Sequence, residues 1–261
     1  MEKKEHIKEF WDNTWSSDEL PLPDVKKVSR LPGKSNRLYL EAFGDVNGKT
    51  VLDLGCGNGL LSVWLALEGA QVTAVDISAT AIDSTIKLAL INNVSNKIHA
   101  EQLNAMDLGS LEQDFDLVVG RFILHHIEPF KDFIPLLVEL IKPGGKGVFL
   151  ENNARNRLLM FVRTHFAGKY GIPKFGDPDE YPFDPSKATL LSEVFEKVTI
   201  SYPEFLCFGL IAPYILKDNR RAKRALKKID NFIYKNFHFL HRYSYRQVIV
   251  IEKACDNLDC R

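Results

Sequence analysis

Three glycines, Gly55, Gly57 and Gly59, alternate with other residues in VLDLGCGNG (Val51 to Gly59), directly after an apolar run. Glycine between a strand and a helix lets backbone approach a ligand closely. A dinucleotide loop of the GxGxxG type needs its third glycine at position 60, and that residue is Leu60. Asp53, just before the loop, would oppose a pyrophosphate. The loop therefore fits a ligand that has no phosphate here and presents a cationic group. Asp76 ends the next apolar run, in AVDIS, where an acidic side chain accepts hydrogen bonds from both ribose hydroxyls of a nucleoside. A third run leads into Asn104-Ala105-Met106-Asp107. Asp107 is placed to accept from an adenine amino group or, alternatively, to cap the following turn. Met106 offers a backbone donor and an apolar wall. Cys56 reads as a small buried filler and not as a nucleophile.

His125 and His126 follow the fourth apolar run, in GRFILHHIEPF. With an unperturbed pKa of about 6.5, imidazole accepts a proton at neutral pH. Either histidine is a candidate general base; the competing reading is that the pair only shapes a pocket. Glu151, Asn152 and Asn153 end the fifth run and form a second candidate polar wall toward a substrate.

These residues need a scaffold that brings strand ends together. Short runs rich in Val, Leu and Ile predict strands at Thr50–Leu54, Gln71–Ile77, Ile98–Leu103, Phe115–Gly120 and Lys146–Glu151. Helical patterns fill the gaps at Leu60–Glu68, Ala79–Asn92 and Phe130–Ile141. Strands alternating with helices of this length imply right-handed crossovers and a parallel, doubly wound α/β sheet. Beyond Glu151 the rhythm changes. A helix is expected at Asn156–Ala167, a loop at Lys169–Pro185, and two strands at Lys197–Tyr202 and Ser244–Glu252, forming an antiparallel edge. Upstream, residues 1–15 predict a helix with Ile7, Phe10, Trp11 and Trp15 roughly on one face, and a short helix is expected at Ser35–Phe43.

Composition bounds the rest. The chain has 261 residues, 34 basic and 34 acidic, and 45% apolar residues. This is a globular balance, and the zero net charge argues against a dedicated nucleic-acid binder. Four scattered cysteines, with no Cys/His spacing for zinc, imply neither a disulfide framework nor a metal site. No secretory leader or membrane span is read, so the cytoplasm is the expected compartment.

VLDLGCGNG, the acidic end of AVDIS, the NAMD segment and IKPGGKGVF (Ile141 to Phe149) occur together and in this order. On these landmarks, which cover roughly residues 45–151, the chain resembles the class I S-adenosylmethionine (SAM)-dependent methyltransferases of the small-molecule type. The resemblance implies a Rossmann-like, seven-stranded sheet whose last strand is antiparallel. It implies that Asp53 holds the methionyl amino group, directly or through water, and that Gly55, Cys56 and Gly57 line the methionyl side. Asp76 would bind the ribose, with Ile77 packing on the adenine and Ala105, Met106 and Asp107 framing it. Arg121 and Phe122 would lie beside the methionyl moiety, although Arg121 also reads as a surface ion-pair residue. The segment after the fourth strand lacks the [DN]PP[YF] signature and the cysteine of nucleobase-modifying relatives, so a small-molecule acceptor is expected. No metal is required for the displacement.

Residues 1–44 are expected to cap the cofactor pocket, residues 45–253 to form the methyltransferase domain, and residues 254–261 to form a tail. Within an insertion at about 203–243, Phe205–Leu216 is nearly all apolar. Seven basic residues follow between Lys217 and Lys228. Ala222, Ala225, Leu226, Ile229, Phe232, Ile233, Phe237 and Leu240 recur at helical spacing. Segment 217–240 is therefore either a lid for a hydrophobic or lipid-linked substrate, a membrane-surface helix, or a helix packed on its own protein. The function expected is methyl transfer from SAM, yielding S-adenosyl-L-homocysteine, to a small-molecule or lipid-linked acceptor, with oxygen ahead of nitrogen. The alternatives are N-methylation of a small amine and a non-catalytic SAM-binding scaffold.

Overall fold

The computed structural model of the chain describes residues 2–15, 24, 25, 28, 33–166, 169, 181–205, 207, 208 and 220–255. Its strands are β1 (Thr50–Leu54), β2 (Gln71–Asp76), β3 (Ile98–Gln102), β4 (Phe115–Arg121), β5 (Ile141–Asn152), β6 (Lys197–Ser201) and β7 (Arg246–Glu252). They form one seven-stranded sheet in the order β3-β2-β1-β4-β5-β7-β6. Strands β1 to β5 are parallel, and β7 runs antiparallel between β5 and β6. This is the Rossmann-like architecture expected, with its antiparallel last strand.

The helices are α1 (Glu2–Trp15), α2 (Lys34–Glu41), α3 (Leu60–Leu67), α4 (Ala79–Ile91), α5 (Phe130–Leu140), α6 (Arg157–Phe166), α7 (Pro185–Ser192) and α8 (Arg220–Asn236). They cover both faces of the sheet, which is why central strands read as continuous apolar runs. Successive residues point to opposite faces. Val51 joins the cluster with Val63, Leu65 and Leu88 from α3 and α4, while Leu52 joins Phe133 and Leu137 from α5.

Two differences follow from local chemistry. β5 begins at Ile141, not Lys146, because Phe115 pairs with Ile141 and Leu117 with Lys146, so Lys142–Gly145 is accommodated as an irregularity. α7 was not expected. Its start nevertheless carries a readable signal: Asp184 accepts from Ser186 N at 2.8 Å, and Pro185 opens the helix.

α8 confirms a basic amphipathic helix but divides its apolar residues. Ala222, Leu226, Ile233 and Tyr234 turn at least partly inward, whereas Ile229, Phe232 and Phe237 are exposed. The apolar face is thus only partly covered: its inward side packs, with buried Asp230 accepting from Phe208 N there, while its other side is exposed. Much of the apolar stretch Phe205–Leu216, most of the loop Lys169–Pro185 and the end of the tail lie outside the described residues. No helix among the described residues is long and apolar enough to cross a membrane.

Candidate active site

In open parallel sheets ligands bind beyond the carboxyl ends of the strands, near the point where strand order reverses. Here that point lies between β1 and β4, where the glycine loop, Asp76 and the residues after β4 meet. Gly59 has φ 74°, and an added Cβ would sit 2.6 Å from the Thr85 backbone of α4. Gly57 has φ 55°, and a Cβ there would strike the Trp15 indole at 2.8 Å. The loop is therefore glycine-rich because of both backbone conformation and close approach.

Asp76 stands beside this loop. Its carboxylate accepts from Gly57 N at 2.9 Å and Ser78 N at 3.0 Å, leaving lone pairs for further donors. Burial raises its pKa, and these two backbone donors oppose the rise. Asp53 lies deeper: it is 2% exposed and accepts from Ser62 Oγ at 2.5 Å. Burial pushes it up to about 6, against the stabilising Ser62 hydroxyl. Ser62 was not singled out in the sequence. Its position one turn into α3, facing β1, is the signal that would have found it. Burial, helped by the charges of Asp76 and Asp53, holds the Cys56 thiol well above its ordinary range, which disfavours a thiolate nucleophile.

At the end of β3, Asn104 caps a short 3-10 turn, Ala105–Ser110, by accepting from Met106 N at 2.9 Å. Asn104, not Asp107, is therefore the cap. Asp107 sits exposed in the first turn, and Ala105 and Met106 are half-buried beside it. Ile77 is half-buried, and its carbonyl accepts from Gln102 Nε2.

The structure gives the two histidines different surroundings, although their rings lie 4.1 Å apart. His125 is buried, and its Nδ1 lies 2.6 Å from Glu151 Oε2. The other Glu151 oxygen accepts from Ile123 N at 2.9 Å and Leu124 N at 2.8 Å. Glu151, fully buried, thus ties the segment after β4 to the end of β5. The sequence placed Glu151 in a substrate wall; the structure gives it this anchoring part. Asn153 likewise anchors, its amide donating to the carbonyls of Arg242 and Ser244. His126 is half-buried. Its ring meets the Trp11 indole edge-on at 5.5 Å between centroids.

Helix α1 covers these elements. Trp11 touches His126, Trp15 lies on Gly57, and Asp12 accepts from Ser78 Oγ at 2.6 Å where α4 begins. Phe122 follows β4 with φ 56°, a conformation bulky residues seldom adopt and one found at functional sites. Arg121 donates to Asn36 Oδ1 at 3.4 Å and forms no ion pair among the described residues, which removes the surface ion-pair reading. A small cavity opens beside it, lined by Asn36, Tyr39, Leu61 and Arg121 among others.

The fold and this constellation agree with the comparisons. A family profile described as a methyltransferase domain matches residues 51–145. The ubiquinone biosynthesis O-methyltransferase of Cronobacter sakazakii is 30% identical over 173 residues, covering 60% of this chain and 68% of that protein. The mitochondrial ubiquinone biosynthesis O-methyltransferase of Schizosaccharomyces pombe is 42% identical over 146 residues, 54% of this chain and 50% of that protein. The chain thus spans between half and about two thirds of the length of these relatives. Among solved structures, geranyl diphosphate C-methyltransferase from Streptomyces coelicolor A3(2) superposes with a TM-score of 0.60 at 13% identity. The match covers 98% of this chain and 99% of that one. The chain belongs to the class I SAM-dependent methyltransferases.

Proposed function

We propose that the chain transfers the methyl group of SAM to an oxygen of a small or lipid-linked acceptor, by in-line displacement. The observation that carries this reading is the 42% identity to an O-methyltransferase over 146 residues, together with a half-buried histidine beside the glycine loop's covering helix.

The residues fit the cofactor. Gly55, Gly57 and Gly59 turn at positive φ, so the loop presents backbone rather than side chains, and the Asp76 carboxylate stands at the strand end where ribose hydroxyls are bound. Bound SAM supplies an electrophilic methyl on a sulfonium. Asp76 accepts from the ribose, with Ile77, Ala105, Met106 and Asp107 around the adenine. Gly55, Cys56 and Gly57 line the methionyl side, Asp53 holds the amino end from beneath the loop, and Arg121 and Phe122 stand at the boundary with the acceptor. His126 takes the proton from the acceptor hydroxyl. His125, locked by Glu151, holds the segment that presents His126. α1 excludes water from the cleft, and alignment of nucleophile and methyl supplies most of the rate.

The acceptor's lipid character is supported by α8. Ile229, Phe232, Phe237 and Phe239 are exposed beside exposed Arg221, Arg224, Lys227 and Lys228, a pattern that suits the surface of an anionic membrane. On this reading the chain works in the cytoplasm at a membrane surface.

Calorimetric titration with SAM, S-adenosylhomocysteine and NADH tests the cofactor. Micromolar binding of the first two, and none of NADH, is expected; no binding of either sulfur nucleoside overturns the reading. His126→Ala is then expected to lower turnover and leave S-adenosylhomocysteine affinity unchanged. Wild-type turnover would return His126 to a pocket-shaping role.

A further inference from the structure

Two guanidinium groups meet at the ligand edge of the sheet. Arg121 ends β4. Arg246 opens β7, and because β7 is antiparallel to β5, its first residue lies at that same edge, opposite Asn152. The Phe122 ring sits between them. The Arg246 guanidinium carbon lies 4.4 Å from the ring centroid and that of Arg121 lies 5.7 Å away. Both arginines are half-buried.

Neither has a carboxylate partner among the described residues. Arg121 Nε is buried with no acceptor. Three acids act on them electrostatically, and each is hydrogen-bonded elsewhere. Asp53 accepts from Ser62 Oγ. Glu151 serves Ile123 N, Leu124 N and His125. Glu204 Oε1 accepts from Ser35 N and from Ser35 Oγ at 2.7 Å. Burial lowers the Arg246 pKa and the Arg121 charge adds to this, against Tyr245, Glu204 and Glu151, yet arginine stays charged in proteins. Two half-buried like charges sharing one aromatic ring are unfavourable alone, and a planar anion in the cleft would relieve them. Guanidinium forks recognise carboxylates in two-point geometry, and the strained Phe122 backbone holds the ring against both.

We infer that Arg121 and Arg246 form a carboxylate-binding site on the acceptor side of the cleft, so that the methyl acceptor carries an acidic group. That a methyl acceptor fills the site rests on the proposed methyl transfer; the anion site itself does not. The methionyl carboxylate of the cofactor has the same chemistry and is the rival source.

Calorimetry on the full chain, with and without S-adenosylhomocysteine, uses benzoate as the acidic probe and phenol as the neutral one. Wild type is expected to bind benzoate about tenfold more tightly than phenol or better. R246Q should erase this preference while leaving affinity for S-adenosylhomocysteine unchanged. R246K, which keeps the charge but not the fork, should retain only part of the preference; it also carries the test if R246Q fails to fold, as thermal melting would show. Equal affinity of wild type for benzoate and phenol overturns the inference. So does a tenfold loss in R246Q of S-adenosylhomocysteine affinity with none for methylthioadenosine, which lacks the carboxylate. Failure of wild type to bind any sulfur nucleoside refutes the methyl-transfer reading, while the benzoate titration on the protein alone still decides the anion site.

Discussion

Glu151 is the residue on which the segment after β4 depends most directly. Removing it in E151A takes the carboxylate away from the amides of Ile123 and Leu124 and from Nδ1 of His125. Each donor left unsatisfied costs about 1–3 kcal/mol, but one site is involved and the costs do not add fully. Since the three share one carboxylate, about 3–5 kcal/mol in total is expected. In a domain of this size that lowers the thermal midpoint by about 6–20 °C. E151Q keeps the volume and one oxygen for the two backbone donors. Its amide can still meet His125 Nδ1 when the ring carries its proton on the other nitrogen. Only charge assistance is lost, about 1–2 kcal/mol. Urea denaturation of both variants, compared at constant slope, gives these differences. A cost below about 1 kcal/mol for E151A, or equal costs for the two variants, would refute the anchoring argument.

Asp76→Ala should weaken S-adenosylhomocysteine binding by about 1.5–3 kcal/mol, since charge-assisted bonds to the ribose are lost; unchanged affinity by calorimetry would remove Asp76 from the site. Asp53 has a folded pKa raised to about 6 by burial, so its contribution to stability is present below its unfolded pKa and lost as pH rises through about 6. D53N should therefore gain stability relative to wild type between about pH 4 and pH 7, and a pH-independent difference in urea denaturation would contradict this. Gly59→Ala meets the Thr85 backbone at positive φ, whereas Gly48→Ala has the same φ of 74° and nothing within 4 Å. G48A should cost about 1 kcal/mol and G59A clearly more; equal losses would show that α4 yields to the methyl.

The parallel core was legible because strands buried on both faces become apolar runs, and the glycine loop because its spacing excludes a dinucleotide. Other features depend on contacts between distant segments. His125 and His126 are equivalent by position in the chain; only the pairing of His125 with Glu151, at the end of another strand, tells them apart. Arg246 carries no motif, and it reaches the cleft only because β7 is reversed. α8 showed its amphipathic spacing, but which part of its apolar face is covered depends on contacts that spacing alone does not reveal.

The place of β7 between β5 and β6 also governs the order in which the molecule can be completed during synthesis. Strands β1 to β5 can assemble as soon as they emerge, since each neighbour precedes residue 153. β6 cannot: its partner in the sheet is β7, which emerges last. Until residues 246–252 leave the ribosome, the nascent chain carries one open edge on β5 and one unpaired strand at β6. Open edges of this kind invite pairing between molecules. A stop codon just before Arg246 would leave both exposed at once, and such a product would be lost to aggregation although its glycine loop and Asp76 are intact.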